Sequence, residues 1–247
     1  MSWDIVDQFY ITTYQGSPRI EGCQKEILHW NIPPEKLTWN IRPKMEIPEC
    51  TMSSAIKNHI SAYQHAKDNN YKNIFILEDD FIVYDHSTTI PEIQFKTNYF
   101  LKNYPDYDIF YHGYIPLNID QEYNDCGIIK MYGVMLHAYL INERFYSLFL
   151  NLDIQQCVSM CFPFGKVPHD VWVFNLQINQ RRNSYAAYPQ LVYQNNAPLP
   201  IFLKKDNTRK ILFKNICTVM TELTYNADIY KKIILIFIIL IIIGKKI

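Results

Sequence analysis

Two periods of apolar residues alternate along the first part of this chain. Gln8–Thr13 is a short β-rich run closed by the turn formers Gln15, Gly16, Ser17 and Pro18, and Arg19–Trp30 reads as a helix. Leu37–Arg42 is a second strand, bracketed by prolines 33, 34, 43 and 48. From Ser53 to Asp68, Ile56, Ile60 and Tyr63 recur at the i, i+4, i+7 spacing that lines one helical face. That helix leads through Asn69 and Asn70 into the apolar run Asn73–Phe81, which ends in Glu78, Asp79 and Asp80. Further β runs follow at 107–112 and 128–136, then a helix at 142–150. The order β-α-β-α-β with mixed later strands predicts an α/β fold, a mixed central sheet flanked by helices. Ligands in such folds sit at the carboxyl ends of the strands.

Composition narrows the classes. The 247 residues, 49% of them hydrophobic, suffice for one sizeable core, expected over residues 1–215 with a tail at 216–247. Twenty-four basic residues balance 24 acidic ones, so no overall field favours nucleic acid as a partner. The 7 glycines form neither G-x-G-x-x-G nor a Walker loop, so any nucleotide must be held by side chains and a metal. The 6 cysteines (23, 50, 126, 157, 161, 217) lack zinc-ligand spacing and read as free thiols. Met1–Asp7 has no basic segment followed by an apolar core, so no secretory signal is expected.

The acidic triplet carries the chemistry. Three adjacent carboxylates repel one another unless a cation or basic neighbours offset them, and oxygen donors suit Mg²⁺ or Mn²⁺ better than zinc. The bland alternative is a solvated acidic turn after a strand. Along the extended strand end Glu78 and Asp80 alternate, so they face one side and Asp79 the other. Asp80 is then the principal metal ligand, with Glu78 or Asp79 on metal or ribose.

Several segments, in order, resemble glycosyltransferase family 25, which includes lipooligosaccharide and collagen galactosyltransferases. Phe9–Arg19 looks like the family's opening strand and arginine loop, and Asn58–Ala66 resembles its S-H-x-x-x-W helix. His59 precedes Glu78 by the spacing expected between that histidine and the L-E-D-D motif. Asp108–Gly113, Gly133–Asn142, Val167–Asp170 and Tyr188–Gln194 are similar to the later D-x-x-x-L-G, G-x-x-A-Y-x-I-S, P-x-D and P-x-L-x-x-Q segments. Asn58 and Asn142 stand where the family has serine, Ala55 replaces a cysteine, and the first loop keeps only Arg19. These departures bear on the acceptor and sugar more than on the fold.

The resemblance implies a GT-A type fold and an inverting hexosyltransferase. It would move galactose or glucose from a UDP-sugar to a glycan or a glycoprotein, hydroxylysine-type acceptor, with Mn²⁺ or Mg²⁺ as cofactor. It places Thr12, Arg19, Glu78, Asp79 and His59 among the groups that hold the donor, and Asp80, Glu78 and His169 on the metal, with His137 as another possible ligand. Asp170 is the candidate base on the acceptor side.

Each residue also has a plainer reading. Asp170 could cap a helix, His59 could be a hydrogen-bonded structural histidine, and Arg19 could pair with Glu21. Most of the 19 tyrosines would be packing residues, with some left to stack on sugar or uracil. Two other functions use similar residues: a metal-dependent phosphohydrolase or nuclease, which needs a second acidic cluster, and a catalytically silent sugar- or nucleotide-binding scaffold.

The end of the chain is a separate matter. Lys204, Lys205, Arg209, Lys210 and Lys214 form a basic patch, and Ile233–Ile243 is an unbroken apolar run of 11 residues between lysine pairs. As a helix the run reaches about 16 Å, short of a ~30 Å hydrocarbon core. Membrane contact of the tail, with the domain on the cytosolic side, is the expectation.

Overall fold

The computed structural model describes residues 3–43, 53–121, 126–150, 173 and 176–194. The main sheet has the order β2-β1-β3-β6-β5-β7. Its strands are β1 (Gln8–Tyr14), β2 (Leu37–Arg42), β3 (Asn73–Glu78), β5 (Ile109–Gln121), β6 (Ile128–Asn142) and β7 (Ser184–Ala187). Two short strands, β4 (Phe81–Ile82) and β8 (Tyr193–Gln194), pair antiparallel in a second sheet. The helices are α1 (Ile20–Leu28), α2 (Ser53–Asp68), α3 (His86–Asn103) and α4 (Glu143–Tyr146).

β1 lies between β2 and β3 and runs parallel to both, whereas β6 runs antiparallel to β3 and to β5. The chain therefore leaves β1 toward β2 and crosses back to β3 on the other side. Side chains alternate between two cores, as the pleat requires. Phe9, Ile11, Phe75, Leu77 and Leu140 join Cys23 and Ile27 of α1 with Ile90, Ile93 and Phe100 of α3. Tyr10, Ile74, Ile76, Tyr139 and Ile141 join Ala62, Tyr63 and Ala66 of α2 with Phe145 and Tyr146 of α4. This is the predicted α/β architecture, a mixed sheet covered by helices on both faces. The carboxyl ends of β1 and β3 form the reversal point where such sheets open a crevice.

Several boundaries match the sequence reading, and others differ for identifiable reasons. β2 and α2 fall at the predicted limits, while α1 is shorter than 19–30 at both ends. Of the predicted Ile56–Ile60–Tyr63 face of α2, Ile56 and Tyr63 are buried and Ile60 is only half-buried; His59, Ala62 and Ala66 are buried beside them. α3 went unpredicted because Pro91 lies inside it. Asp85 caps it by accepting from the Ser87 N–H, and Ile90, Ile93, Thr97 and Phe100 fall on its buried face. β5 and β6 run well past their predicted ends as a long irregular hairpin with several register shifts. Asn142 caps α4 by accepting from the Arg144 N–H, which gives a local role to the residue standing where the family has serine.

Among the described cysteines, Cys23 is a buried free thiol and Cys126 is half-buried. Cys50, Cys157, Cys161 and Cys217, the basic patch and the apolar run 233–243 lie outside the described residues. Among the described residues no helix is long and apolar enough to cross a membrane.

Candidate active site

β3 delivers its tip beside the end of β1, with Glu78 in register with Thr12. The extended alternation stops there, because residues 79 and 80 form a turn into β4. Asp80 therefore does not share partners with Glu78, as an extended tip would require. Asp79 and Asp80 both face Arg19, while Glu78 points to α2 and β8.

Asp79 is saturated. Its Oδ2 accepts from the hydroxyls of Thr13 (2.5 Å) and Ser17 (2.6 Å), and its Oδ1 accepts from Arg19 Nε at 2.9 Å. Charge-assisted donors of this kind compensate a buried carboxylate and fix the β1–α1 loop onto the tip of β3. Asp79 thus serves the loop rather than the open crevice. Thr12 is also buried, and its hydroxyl donates to the Leu77 carbonyl at 3.3 Å. Asn58 continues the support by donating to the Thr13 carbonyl at 2.8 Å, and its own carbonyl accepts from Asn40 at 2.6 Å. A groove of about 600 Å³ runs beside Asn58, between Arg42 at the end of β2 and Lys57, Ser61 and Gln64 of α2.

Asp80 is the under-compensated member. It is 8% exposed, Oδ2 accepts from Arg19 Nη1 at 2.6 Å, and Oδ1 is buried without a hydrogen-bond partner. Burial, reinforced by the neighbouring Glu78 charge, pushes its carboxyl up to about 7, against the opposing pull of Arg19. Arg19 does not pair with Glu21, which instead binds Lys25 at 2.6 Å. Its side chain is 35% exposed, so the guanidinium sits between the acidic tip and solvent.

His59 lies beneath Glu78 rather than in the crevice. It is completely buried, and burial holds its imidazole down to about 3, so it is neutral at physiological pH. Nε2 faces Glu78 Oε1 at 3.2 Å and Nδ1 faces the Tyr139 hydroxyl at 2.7 Å. A carboxylate can only accept, so the proton belongs on Nε2. Nδ1 then accepts from Tyr139, whose oxygen accepts from Tyr63. This chain holds one side of Glu78, and Gln194 Nε2 donates to Oε2 at 3.2 Å from the other. As placed, His59 acts through Glu78, whose side chain is 27% exposed.

His137 is buried within the sheet. Its Nε2–H donates to the Val192 carbonyl at 3.3 Å, and the ring packs on Gly113, where a Cβ would lie 2.0 Å from Nε2. His169 and Asp170 lie outside the described residues. Among the described residues no three of His, Cys, Asp and Glu converge as a ready-made metal cluster. The donor set nevertheless fits Mg²⁺ or Mn²⁺ bound chiefly through a ligand's phosphates. Such ions need only one or two protein carboxylates, and Asp80 Oδ1 is a buried oxygen without a partner.

The supporting residues Thr13, Ser17, Tyr139 and Gln194 were not singled out from the sequence. All four lie in segments quoted for the family resemblance, and two of them match lettered motif positions: Tyr139 as the tyrosine of the Gly133–Asn142 segment and Gln194 as the last residue of Tyr188–Gln194.

No protein-family model matches this chain, and no curated protein sequence matches it. Solved structures do. One is a glycosyltransferase involved in the glycosylation of the major capsid of PBCV-1, with 9% identity, 85% of this chain and 99% of that chain covered, and a TM-score of 0.46. Another is apo-UDP-glucose pyrophosphorylase, with 10% identity, 77% of each chain covered and a TM-score of 0.43. The A197 protein from STIV is 14% identical, with 81% of this chain and 98% of that chain covered and a TM-score of 0.40. The functional reading rests on the site.

Proposed function

We propose that this protein is a metal-dependent hexosyltransferase of family 25 type, using a UDP-sugar donor and a glycan or glycoprotein hydroxyl as acceptor. One observation carries the reading. Asp80, a buried carboxylate with an unpartnered oxygen, stands beside Arg19 at the carboxyl ends of β1 and β3. That combination suits a diphosphate with its divalent cation better than it suits a neutral ligand. When bound, the cation supplies charge stabilisation to the departing diphosphate. Asp80 holds that cation, and Glu78, fixed by His59 and Gln194, offers acceptor oxygens to ribose or to the metal. Arg19 faces the phosphates. Inversion needs a base on the acceptor hydroxyl, a role assigned to Asp170, with His169 as a further metal ligand. Galactose or glucose is the sugar expected from the family resemblance.

A second reading is a nucleotide-binding scaffold without transfer. It is favoured by the engagement of both Asp79 oxygens within the β1–α1 loop. Calorimetric titration of UDP, with Mn²⁺ and then with excess chelator, tests the donor site. Binding that requires Mn²⁺ is expected, and a folded sample that takes up no UDP in either condition refutes the proposal. If UDP binds, Asp170→Ala separates the readings: a transferase keeps UDP affinity and loses sugar transfer, whereas a scaffold has no transfer to lose.

A further inference from the structure

The guanidinium of Arg19 stands where charge neutralisation of the acidic tip is needed. Its Nε is committed to Asp79 at 2.9 Å and its Nη1 to Asp80 at 2.6 Å. The two contacts are unequal in what they leave behind. Without Arg19, Asp79 would keep its Thr13 and Ser17 donors, whereas Asp80 would lose the one side-chain donor described for it and still hold its unpartnered Oδ1. Asp80 is nine-tenths buried, so its ionised form needs a positive neighbour. Arg19 reaches both carboxylates from the same planar group, with Nε on Asp79 and Nη1 on Asp80. Its aliphatic torsions can swing that plane away from Asp80 toward solvent, whereas a flip about Nε–Cζ only exchanges the two terminal nitrogens.

We propose that Arg19 is a resident counter-ion that competes with the divalent cation for Asp80. On cation entry it gives up its Nη1 contact and presents that N–H edge to the diphosphate. This deepens the functional reading above and rests on its assignment of the cation to Asp80. The charge that stabilises the acidic tip before the cation binds is the same charge that later meets the phosphates. Metal alone should bind weakly, and nucleotide with metal should bind well.

The two roles give effects of opposite sign. Mn²⁺ alone, titrated into the full chain, is expected to bind Arg19→Gln about tenfold more tightly than wild type, because a charged competitor with a net worth of roughly a charge-assisted hydrogen bond has gone. UDP at saturating Mn²⁺ is expected to bind the same variant about tenfold more weakly. If Arg19 merely held Asp80 in place, the variant would bind Mn²⁺ less tightly or unchanged, and either result overturns the proposal. Failure of Mn²⁺ to bind either protein also overturns it.

If wild type takes up no UDP at any Mn²⁺ level while Mn²⁺ tightens in Arg19→Gln, the UDP reading falls and the competition stands. Side-chain NMR of wild type gives an independent arm, which decides the matter if the variant does not fold. Rotation about the Arg19 Nε–Cζ bond is expected to be restricted without metal and released by Mg²⁺. Restriction that persists at saturating Mg²⁺ overturns the exchange.

Discussion

Replacing Asp80 with asparagine tests the electrostatics of the tip in isolation from any ligand. The folded chain raises this carboxyl from 3.8 to about 7, chiefly by burial and then by Glu78. At about 1.4 kcal/mol for each tenfold change, keeping it ionised well above pH 7 costs the fold roughly 4 kcal/mol, and solvent relaxation brings that nearer 2. The direction follows from proton counting. Between about pH 4 and 7 the folded chain holds a proton that the unfolded chain has released, so this group's contribution to stability falls as pH rises and levels off above 7. Asparagine carries no such charge at any pH.

In the presence of chelator, Asp80→Asn should therefore be more stable than wild type at alkaline pH. The advantage should grow by roughly 1 to 3 kcal/mol between about pH 5 and 8.5, read as the urea midpoint at each pH. A variant less stable than wild type at pH 8.5, or a difference that does not change with pH, would refute the reasoning. The first result would mean that Arg19 over-compensates the buried charge; the second would mean that Asp80 titrates normally.

Two further substitutions probe the scaffold behind the tip. Tyr139→Phe removes the hydroxyl between Tyr63 and His59. A loss of roughly 1 to 3 kcal/mol is expected in urea unfolding. Imidazole ¹⁵N shifts should still report an Nε2–H tautomer, because Glu78 dictates it; a switch to Nδ1–H would show that Tyr139 sets the ring instead. Gly113→Ala places a Cβ 2.0 Å from His137 Nε2 and 2.7 Å from the Val192 carbonyl. The second obstacle is backbone, so rotating the histidine cannot relieve it, and a loss of about 3 kcal/mol or more is expected. A thermal midpoint within a degree or two of wild type would contradict that packing.

How much of this could be read from residue order varies with the kind of interaction. The succession from β1 to β3 was legible because prolines and the Gln15–Pro18 turn punctuate it. Glu78, Asp79 and Asp80 stood out because three charges end an apolar run. Their division of labour was not legible, since it depends on a turn at residues 79 and 80 that breaks the strand's alternation. No local pattern marks that turn. α3 was hidden by a single proline, although its buried positions keep helical spacing. Tyr139 and Gln194 reach the site from far along the chain, and only the folded sheet shows what they touch. Asp108 illustrates the same limit: it opens a family-like segment, yet its buried carboxylate ties Arg144 and the Asn183 N–H at the far end of the sheet.

Apart from His59, 19 residues before Glu78, the supports of the acidic tip described above are distant in sequence. Asp79 meets Thr13 and Ser17 across separations of 66 and 62 residues, Asp80 meets Arg19 across 61, and Glu78 meets Gln194 across 116. In a partly folded chain the three carboxylates are adjacent from the outset, but their compensating partners arrive only after long loops have closed. Intermediates that form β3 early therefore carry concentrated, unrelieved repulsion, which penalises every state in which the sheet is incomplete. The acidic tip acts as an electrostatic check on assembly, admitting a stable β3 only once β1, α2 and β8 have arrived around it.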